Sequence, residues 1–445
     1  MKSNLFYIVG VVVFAAWLGS TSGYVLLSEY GAIPSNESAA AVTLNAAAMS
    51  KALEAANGTG LWIPAGMTYY ILNVEASNLV NTELRIDGKL FAAKEIKLWP
   101  VTATAVVYIS DCINFTLSGS GLFDGQGFGW WVNTLVTAVD HRPHLFSCDR
   151  VSGLTIEGGL TAMNSPQYHF RLYDVVNVLV RNITVWVDVE RQKRLLTEAK
   201  RWVGFEEVPS IPQVWALNTD GVDIWGSDGL VENITVLNYD DVVAIKPSNL
   251  GMKYSQCSRN IHVRDVISYY GVGQTIGSVP PDVNVNCVQD ILFENVVQYE
   301  PLKGIYIKTN PGDQGSGIIH NITYRNITMH SPLWYPIWIG PQQECQPPFK
   351  DFSCNGCSFV FPISTSCPTQ PRITVSDIFL QDINVIDSWD LPGVMLCNAT
   401  NPCTNFNFNN LRAIGDFRVD PSWYCEYVDD STFEGVDPLP NCTSP

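Results

Sequence analysis

Positive charge is scarce in this sequence. Its 445 residues include 26 lysines and arginines against 43 aspartates and glutamates, and the formal net charge is −17. Such an acidic balance repels a phosphate backbone, so we exclude nucleic acid as a partner. Charged residues make up only 16% of the chain and hydrophobic residues 46%, which is enough apolar side chain to bury a large core.

Long apolar runs are also missing, apart from one at the N-terminus. There Lys2 precedes an apolar run over residues 5–18 and a group of small residues, which indicates a secretory signal peptide over residues 1–23. An uncleaved signal anchor is the alternative, but the run is shorter than the roughly 20 residues that span a bilayer. No later segment could span a membrane. We therefore expect a secreted, extracellular or cell-wall protein with no membrane contact after signal cleavage.

Several enzyme motifs are absent as well. None of the six histidines lies near a serine or cysteine motif that would predict a nucleophilic triad, and we expect a packed, structural role for His169. The sequence contains no phosphate-binding loop and no cluster of metal-ligating residues. We therefore predict no cofactor and no metal.

Cysteine, in contrast, is plentiful, and disulfides are the default for an exported chain with twelve cysteines. One group consists of Cys345, Cys354, Cys357 and Cys367. Its CxxC would suggest zinc in a cytosolic protein, but no histidine lies close and the spacing fits no common zinc site, so a disulfide-knotted loop is favoured. A second stapled region is predicted at the C-terminus, from Cys397, Cys403, Cys425 and Cys442.

Nine Asn-x-Ser/Thr sequons suit a glycosylated secreted protein. Four of them begin Asn-Ile-Thr inside the repeat described next, so they could equally be turn asparagines followed by strands. The sequons are at Asn36, Asn57, Asn114, Asn182, Asn233, Asn321, Asn326, Asn398 and Asn441.

An internal repeat dominates the second half of the chain. One phrase, in which apolar and polar residues alternate between two amide or acid residues, recurs at 177–182, 233–238, 260–265, 290–295, 321–326 and 377–382. Alternation with a period of two predicts a short strand with one buried face. Neighbouring phrases are 27, 30 and 31 residues apart, or 56 where one is skipped, and a second apolar strand follows each. This period predicts an all-β solenoid, a single parallel β-helix.

Two segments interrupt the strand pattern. Residues 40–56 are rich in alanine and predict a short helix that caps the N-terminal end of the solenoid. Residues 190–202 also look helical and carry five basic residues, either as a solvated face or as a cover over one end of a cleft. We assign residues 24–100 to the cap and first coils, 101–396 to the catalytic β-helix and 397–445 to a disulfide-stapled segment. No linker separates these parts, and we expect a monomer.

Three aspartates are spaced so that they could act together. Asp220 is followed by Asp240 and Asp241 twenty residues later, which is roughly one coil. Because coils stack about 4.8 Å apart, these carboxylates would lie on neighbouring rungs. Crowded carboxylates cannot all ionise, so one should keep its proton beside an ionised partner, as glycoside hydrolysis requires. Alternatively, they only terminate strands, as Asp265 and Asp290 are expected to do.

Four phrases in a fixed order add a family resemblance. They are Asn-Thr-Asp-Gly at 218–221, Asp-Asp at 240–241, Gly-Val-Gly-Gln-Thr-Ile-Gly-Ser at 271–278 and Gly-Ile-Tyr-Ile-Lys at 304–308. Together they resemble the signature of polygalacturonases and related pectin hydrolases, glycoside hydrolase family 28, and the resemblance covers about residues 24–396. It implies a right-handed β-helix that cleaves galacturonic-acid-containing pectic polysaccharide with inversion. It also implies Asp240 as general acid, with Asp220 and Asp241 holding the attacking water, or the exchanged assignment.

The resemblance further implies residues that bind the substrate. Lys308 matches the family lysine that meets the uronate carboxylate as a point charge. A lysine snorkelling from a strand end is the structural alternative. The full set of predicted substrate-binding residues is Asn218, Lys308, Tyr306, Lys246 and Gln274.

Two departures from the family pattern bear on specificity. Val272 stands where the family usually has histidine, and Tyr306 stands where it has arginine. Neither residue can act as a fixed cation, although Lys246 or the basic segment around Arg194 could replace the charge. The departures favour an exo-acting enzyme, or one that prefers a modified pectic chain such as rhamnogalacturonan, over a random endo-cutter.

Two other functions stay open. One is a pectin-binding β-helix whose hydrolytic site has decayed through Val272 and Tyr306, although the three retained aspartates and Lys308 favour an enzyme. The other is a pectate lyase on the same solenoid, which would need a calcium site and an arginine base. A chelator separates these enzymes, because lyase activity would be lost with EDTA.

Overall fold

The computed structural model describes residues 23–137, 140–188, 216–344, 356–358, 361, 366–388, 392–415 and 422–442. Within these ranges the chain forms 25 strands, whose pairings are parallel, with two α-helices and two 3₁₀ helices. The helices are α1 (Ala39–Ala55), α2 (Phe128–Thr137) and the 3₁₀ turns Leu27–Tyr30 and Ile96–Leu98. The strands are β1 (Tyr24–Leu26), β2 (Gly60–Ile63), β3 (Thr68–Ile71), β4 (Val74–Ser77), β5 (Val80–Ile86), β6 (Lys89–Ala92), β7 (Ala105–Ser118), β8 (Leu122–Asp124), β9 (His144–Ile156), β10 (Thr161–Met163), β11 (Phe170–Trp186), β12 (Val222–Asn238), β13 (Val243–Ile245), β14 (Ser258–Tyr270), β15 (Gln274–Val279), β16 (Asn286–Tyr299), β17 (Ile305–Thr309), β18 (Gly317–His330), β19 (Ile337–Gln342), β20 (Ile373–Ile386), β21 (Val394–Leu396), β22 (Cys403–Ile414), β23 (Tyr424–Glu426), β24 (Val428–Asp429) and β25 (Thr432–Asp437).

One parallel ladder, which we call the cleft sheet, runs along the solenoid. It contains β4, the first residues of β7, β9, β11 and β12, and then β13, β15, β17, β19, β21 and β23. The register pairs Val222 with Val243, Val243 with Gln274, and Gln274 with Ile305. Each coil therefore stacks directly on the previous one, and the predicted right-handed parallel β-helix is confirmed.

Asparagine and aspartate residues form the corners of the coils. Asn182, Asn233, Asp265, Asn295 and Asn326 all have φ between 51° and 56°, a left-handed conformation that these short polar side chains tolerate. They stack on consecutive coils, and Nδ2 of Asn233 donates to Oδ1 of Asn182 at 2.7 Å. The chain bends at these residues without leaving the ladder. This explains why β11 and β12 each contain 17 residues.

Inside the solenoid, apolar side chains of successive coils form columns. One column contains Val231, Val263, Phe293, Tyr324 and Leu380, each of them buried. The rings of Phe293 and Tyr324 stack with centroids 4.8 Å apart. Burial of one such side chain stabilises the fold by about 1.5–3 kcal/mol, so the repeated columns supply the core.

The predicted helix at 40–56 is confirmed as α1, which packs against β3 and β4. It begins after Ser38, whose hydroxyl accepts from the N–H of Ala41 at 3.4 Å. The buried side chain of Asn45 bonds the backbone of Ile33 and Tyr70, which anchors the helix to the first coils. None of the described helices is long and apolar enough to span a membrane.

Helix α2 was not predicted. Its sequence is rich in aromatic and β-branched residues, which favour strands, but Trp130 and Trp131 are almost fully buried and anchor the segment by packing. The predicted helix at 190–202 lies outside the described residues, as does the predicted signal peptide up to residue 22.

Four disulfides occur among the described residues: Cys257–Cys287, Cys357–Cys367, Cys397–Cys403 and Cys425–Cys442. The last two confirm the stapled C-terminal region, whose strands β22 to β25 also continue the parallel ladder. Cys345 and Cys354 lie outside the described residues. The default of disulfide pairing does not hold for Cys112 and Cys148, which are free and buried. They lie on paired strands but three positions apart in register, opposite Val151 and Ile109.

Candidate active site

The three predicted aspartates lie at the turns that lead into the cleft sheet. Because Val222 pairs with Val243, Asp220 and Asp241 occupy equivalent positions on adjacent rungs. One carboxylate oxygen from each of Asp220, Asp240 and Asp241 lies within 4.8 Å of the other two. All three side chains are buried, with at most 5% exposed. The one-coil spacing in the sequence thus brings these aspartates into one cluster.

Asp240 accepts two backbone hydrogen bonds. The N–H of Asn218 donates to Oδ2 at 3.0 Å, and the N–H of Asp241 donates to Oδ1 at 2.9 Å. Burial, followed by the nearby charge of Asp241, nevertheless raises the pKa of Asp240 above its usual value. Asp240 therefore keeps its proton to a higher pH than an exposed aspartate does.

Asp241 has the opposite environment. Nζ of Lys246 lies 2.9 Å from Oδ2, and Nζ of Lys308 lies 3.1 Å from Oδ2 and 3.3 Å from Oδ1. The hydroxyl of Thr275 donates to Oδ1 at 2.8 Å. Burial alone would raise the pKa of Asp241, but the two ammonium groups outweigh it and lower the pKa to about 2. Asp241 therefore stays ionised next to Asp240.

Asp220 is less well compensated. Its Oδ1 has no hydrogen-bond partner among the described residues, and Nζ of Lys246 lies 3.7 Å from its Oδ2. Burial and the charges of Asp223 and Asp240 raise the pKa of Asp220 well above its usual value. Asp220 therefore shares with Asp240 the tendency to hold a proton.

Asp223 is a fourth carboxylate that the sequence analysis did not assign to the site. It lies in β12 with a fully buried side chain, and Nζ of Lys246 is 3.2 Å from its Oδ2. Burial raises the pKa of Asp223 to about 7 although Lys246 opposes the shift. A signal was available, because Asp223 interrupts the apolar strand that follows Asp220.

Asn218 is oriented by an arginine from a distant part of the chain. Nη2 of Arg142 donates to Oδ1 of Asn218 at 2.8 Å, and Nη1 donates to the carbonyl of Leu217 at 2.6 Å. The amide nitrogen of Asn218 then faces Asp240, 3.5 Å from its Oδ2. Arg142 itself pairs with Asp140 at 2.8 Å. Nothing in the sequence predicted this contact, which joins residues 76 positions apart.

A buried ion pair lies beside the cluster. Lys303 contacts one oxygen of Glu344, and the hydroxyl of Tyr306 donates to Oε2 of Glu344 at 2.5 Å. Nζ of Lys303 also lies 4.0 Å from the centroid of the Tyr306 ring and 4.6 Å from that of Trp334. Tyr306 is only 2% exposed. Tyr306 therefore uses both its hydroxyl and its ring within the protein, and substrate binding by Tyr306 stays a prediction.

The register corrects one substrate-binding prediction. Gln274 stands in the inward column between Val243 and Ile305 and is fully buried, so its side chain cannot reach a ligand in the cleft. Its place in a family phrase did not reveal which face it occupies, whereas strand alternation with Ile276 would have. The ammonium of Lys246 contacts the carboxylates of Asp220, Asp223 and Asp241, and the ammonium of Lys308 contacts Asp241. Both lysines, like Asn218, therefore lie beside the aspartates, and their binding of substrate stays a prediction.

The cluster thus separates protonated from ionised carboxyl groups at short range. Groups whose environments move their pKa values in opposite directions are suited to act as an acid and a base. The oxygens of Asp220, Asp240 and Asp241 could also surround a cation, but the ammonium groups of Lys246 and Lys308 already contact Asp241, and we assign no metal. A buried acid–base pair on a parallel β-helix defines the class as a glycoside hydrolase.

Comparison with known proteins agrees with this class. The model of glycosyl hydrolases family 28 matches residues 55–434, and the chain belongs to this family. Exopolygalacturonase A of Aspergillus niger is 22% identical over 405 residues, which are 85% of this chain and 82% of the relative. The predicted family and the glycosidase class are confirmed.

Solved structures show the same fold. Endo-xylogalacturonan hydrolase from Aspergillus tubingensis aligns with a TM-score of 0.61 at 20% identity, covering 90% of this chain and 95% of that one. Polygalacturonase from Erwinia carotovora ssp. carotovora aligns with a TM-score of 0.63 at 17% identity, covering 87% and 93%. At these identities the likeness supports the β-helix.

Proposed function

We propose that the protein is a secreted hydrolase that cleaves galacturonic-acid-containing pectic polysaccharide with inversion. The observation that carries this proposal is the cluster in which Asp240 favours its proton while Asp241 stays ionised. A cluster without function would not be expected to keep four carboxylates buried together. For this reason we favour an enzyme over a pectin-binding protein without activity.

In the proposed reaction Asp240 donates its proton to the glycosidic oxygen as the bond between that oxygen and the anomeric carbon breaks. Asp241, with Asp220 beside it, accepts a proton from a water molecule whose oxygen forms the new bond to the anomeric carbon. Asp240 ends ionised and Asp241 protonated, and exchange with solvent restores both. Because the pKa of Asp220 is also raised, exchange of the acid role between Asp220 and Asp240 is the second assignment.

The proposed substrate is recognised by Lys308 and by the half-buried Asn218. Lys308 contacts both oxygens of Asp241, and its positive charge would also meet a uronate carboxylate in the unit next to the cleaved bond. Names of relatives point to two modes of action, since one is an exopolygalacturonase and one an endo-xylogalacturonan hydrolase. We propose exo action, because the family histidine and arginine are replaced by Val272 and the occupied Tyr306. Action on rhamnogalacturonan or another modified pectin is the alternative.

Export to the extracellular space is supported by the four described disulfides, which persist in oxidising compartments. We propose that the enzyme acts there as a monomer. N-terminal sequencing of the secreted protein tests cleavage near residue 23, and light scattering tests the monomer. Retention of residues 5–18 or a stable dimer would contradict the respective proposal.

The proposed chemistry is tested by Asp240→Asn. We expect kcat to fall by about 10²–10⁴ with little change in KM, because the proton donor is lost and the shape is kept. Asp228→Asn is the matched control: Asp228 is a corner residue of β12 whose carboxylate accepts from Asn260 at 3.0 Å. Full activity of Asp240→Asn would reject the acid assignment, and loss of activity with EDTA would favour a lyase.

Substrate and stereochemistry are separate measurements. Products from homogalacturonan, rhamnogalacturonan and xylogalacturonan identify the chain that is cut, and a rapid fall in viscosity at few cuts would contradict exo action. Inverting enzymes usually hold their carboxyl groups about 6.5–9.5 Å apart, and the oxygens here approach more closely. Proton NMR during hydrolysis therefore tests inversion directly, and retention of anomeric configuration in the first product would reject it.

A further inference from the structure

Lys246 lies at the centre of the carboxylate cluster. It directly follows β13, where its N–H donates to the carbonyl of Ile224 on the neighbouring rung at 2.9 Å. Its Nζ is 2.9 Å from Asp241, 3.2 Å from Asp223 and 3.7 Å from Asp220. An ammonium group has three hydrogens, and here three carboxylates surround it.

Asp223 depends on Lys246 in return. Its side chain is completely buried, and among the described residues neither of its oxygens has a hydrogen bond other than this ion contact. A buried charge of this kind is strongly destabilising once its partner is removed. Asp223 and Lys246 therefore form one unit, in which Asp223 holds the ammonium group against the outward face of the cleft sheet.

We propose that Lys246 is a positioning residue that keeps Asp241 ionised, and that Asp223 anchors Lys246 in the place where it does so. This inference rests on the proposed function, because it assigns the base role to Asp241. It differs from the substrate-binding role that the sequence predicted for Lys246. A substrate-binding lysine would change KM, whereas a lysine that controls a base changes the pH dependence of kcat.

Other charges around Asp241 limit the size of the effect. Lys308 contacts Asp241 from β17 and stays in place, so removal of Lys246 takes away one of two cations. The titratable and charged groups that face the cluster are Asp220 from the turn before β12, Asp223 from β12, Asp240 from the turn before β13, Lys303 from the turn before β17, Tyr306 and Lys308 from β17, Tyr324 from β18, and Tyr168 and His169 from the segment before β11.

The remaining neighbours do not titrate near neutral pH. Burial raises the pKa values of Tyr168 and Tyr306 well above the usual value, so both stay neutral. Burial lowers the pKa of His169 to about 4, so this histidine is uncharged above that pH. Because these neighbours are the same in the wild type and in the variants, a difference between the pH profiles reports on the carboxylates.

The main test is the pH profile of kcat for Lys246→Met. An opposite charge within about 4–6 Å lowers a carboxyl pKa by roughly 1–3 units, so its loss should move the acidic limb upward by about 1 unit or more. The limb moves upward because Asp241, as the base, must be ionised, and without Lys246 it becomes protonated at a higher pH. KM for the pectic substrate, measured above the limb, should change by less than about threefold. Lys253→Met is the matched control. Lys253 is half exposed, and the carboxylate that its ammonium group faces, at 3.9 Å, is that of Asp111, which does not belong to the cluster.

A second variant tests the proposal if Lys246→Met does not fold. Lys246→Met combined with Asp223→Asn removes the anchor together with the lysine, so no buried Asp223 carboxylate is left without its partner. Its acidic limb should also move upward. In Asp223→Asn alone, Lys246 loses its anchor and is held less firmly beside Asp241, so the limb should move upward by less than in Lys246→Met.

These results separate the possible failures. An unchanged acidic limb in both lysine variants, or a rise in KM with an unchanged limb, would overturn the positioning role of Lys246. An acidic limb that does not move upward in Asp223→Asn would overturn its role as an anchor. If Asp240→Asn were fully active, the proposed function would fail first. If Asp240→Asn is inactive and the limbs do not move, only the present inference fails.

Discussion

Two columns of charged side chains on this solenoid use the same stacking distance in opposite ways. On the outer face, acidic and basic residues alternate on six consecutive rungs: Glu157, Arg181, Glu232, Arg264, Glu294 and Arg325. Nη2 of Arg264 lies 2.6 Å from Glu232, and Nη2 of Arg181 lies 2.7 Å from Glu157. In this outer ladder every carboxylate has a cation on a neighbouring rung.

At the active site, carboxylates stack on carboxylates. Asp220 and Asp241 lie on adjacent rungs with Asp240 and Asp223 close by, and only Asp241 is fully compensated by lysines. Because strands stack about 4.8 Å apart, side chains of like charge come as close to one another as side chains of opposite charge. The fold therefore sets the distance between stacked side chains. The order of positive and negative side chains along a column decides whether the column stabilises the protein or shifts the pKa values of its carboxyl groups.

The largest expected difference between the columns is in activity. Asp241→Asn should lower kcat by about 10²–10⁴, because the ionised base is lost and two lysines lose their shared partner. Glu232→Gln in the outer ladder is the matched change of carboxylate to amide, and its kcat should stay within about twofold. Steady-state kinetics at the pH optimum of the wild type measures both. More than a tenth of wild-type activity in Asp241→Asn would place the base elsewhere.

The next effect is on stability, and its sign depends on pH. The folded-state pKa of Asp220 is raised, so its protonated form favours folding below the usual pKa, and this stabilisation is lost as pH rises towards the folded pKa. Asp220→Asn should therefore be more stable than wild type at pH 7, by roughly 1–3 kcal/mol, the typical cost of a buried group that is poorly satisfied.

The comparison is made by urea unfolding at pH 4 and pH 7. The gain should shrink at pH 4, where Asp220 is protonated in the wild type, while activity of the variant is lost at both values. Glu294→Gln, in the outer ladder, should show no gain at pH 7. If Asp220→Asn were less stable than the wild type at pH 7, the negative charge of Asp220 would have to be well compensated by its neighbours in the folded protein.

The smallest effect is expected in the outer ladder itself. Arg181→Met removes an ion pair whose arginine side chain is 42% exposed, and such pairs contribute only about 0–1 kcal/mol. The loss should fall further in high salt, and kcat should not change. Urea unfolding at low and high ionic strength measures the difference. A loss that persists in high salt would indicate that packing of the arginine stem, and not its charge, stabilises the ladder.

Much of the fold could be predicted because its information is local and repeated. The alternating phrases predicted strands, and their amide or acid ends predicted the corners at Asn182, Asn233 and Asp265. Helix α1 followed from its alanine content. Helix α2 did not, because its residues favour strands and only the burial of Trp130 and Trp131 keeps it helical.

The active site was predictable to the extent that it depends on the coil period. One period separates Asp220 from Asp240 and Asp241, so the period alone brought these carboxylates together. The inward orientation of Gln274 was not predicted, because a family phrase carries no statement about the face of a strand. Lys246 was predicted as a cation near the cluster, but its three carboxylate partners were not.

The sequence by itself therefore determined the solenoid, its corners and the meeting of three aspartates, since each of these follows from residues spaced by whole coils. Only the tertiary structure decided which carboxyl groups hold protons. Those preferences depend on burial and on the positions of Lys246 and Lys308, and the orientation of Asn218 depends on Arg142, 76 residues away. Such contacts join loops at unrelated spacings, and electrostatic effects in a buried site change over a few ångströms.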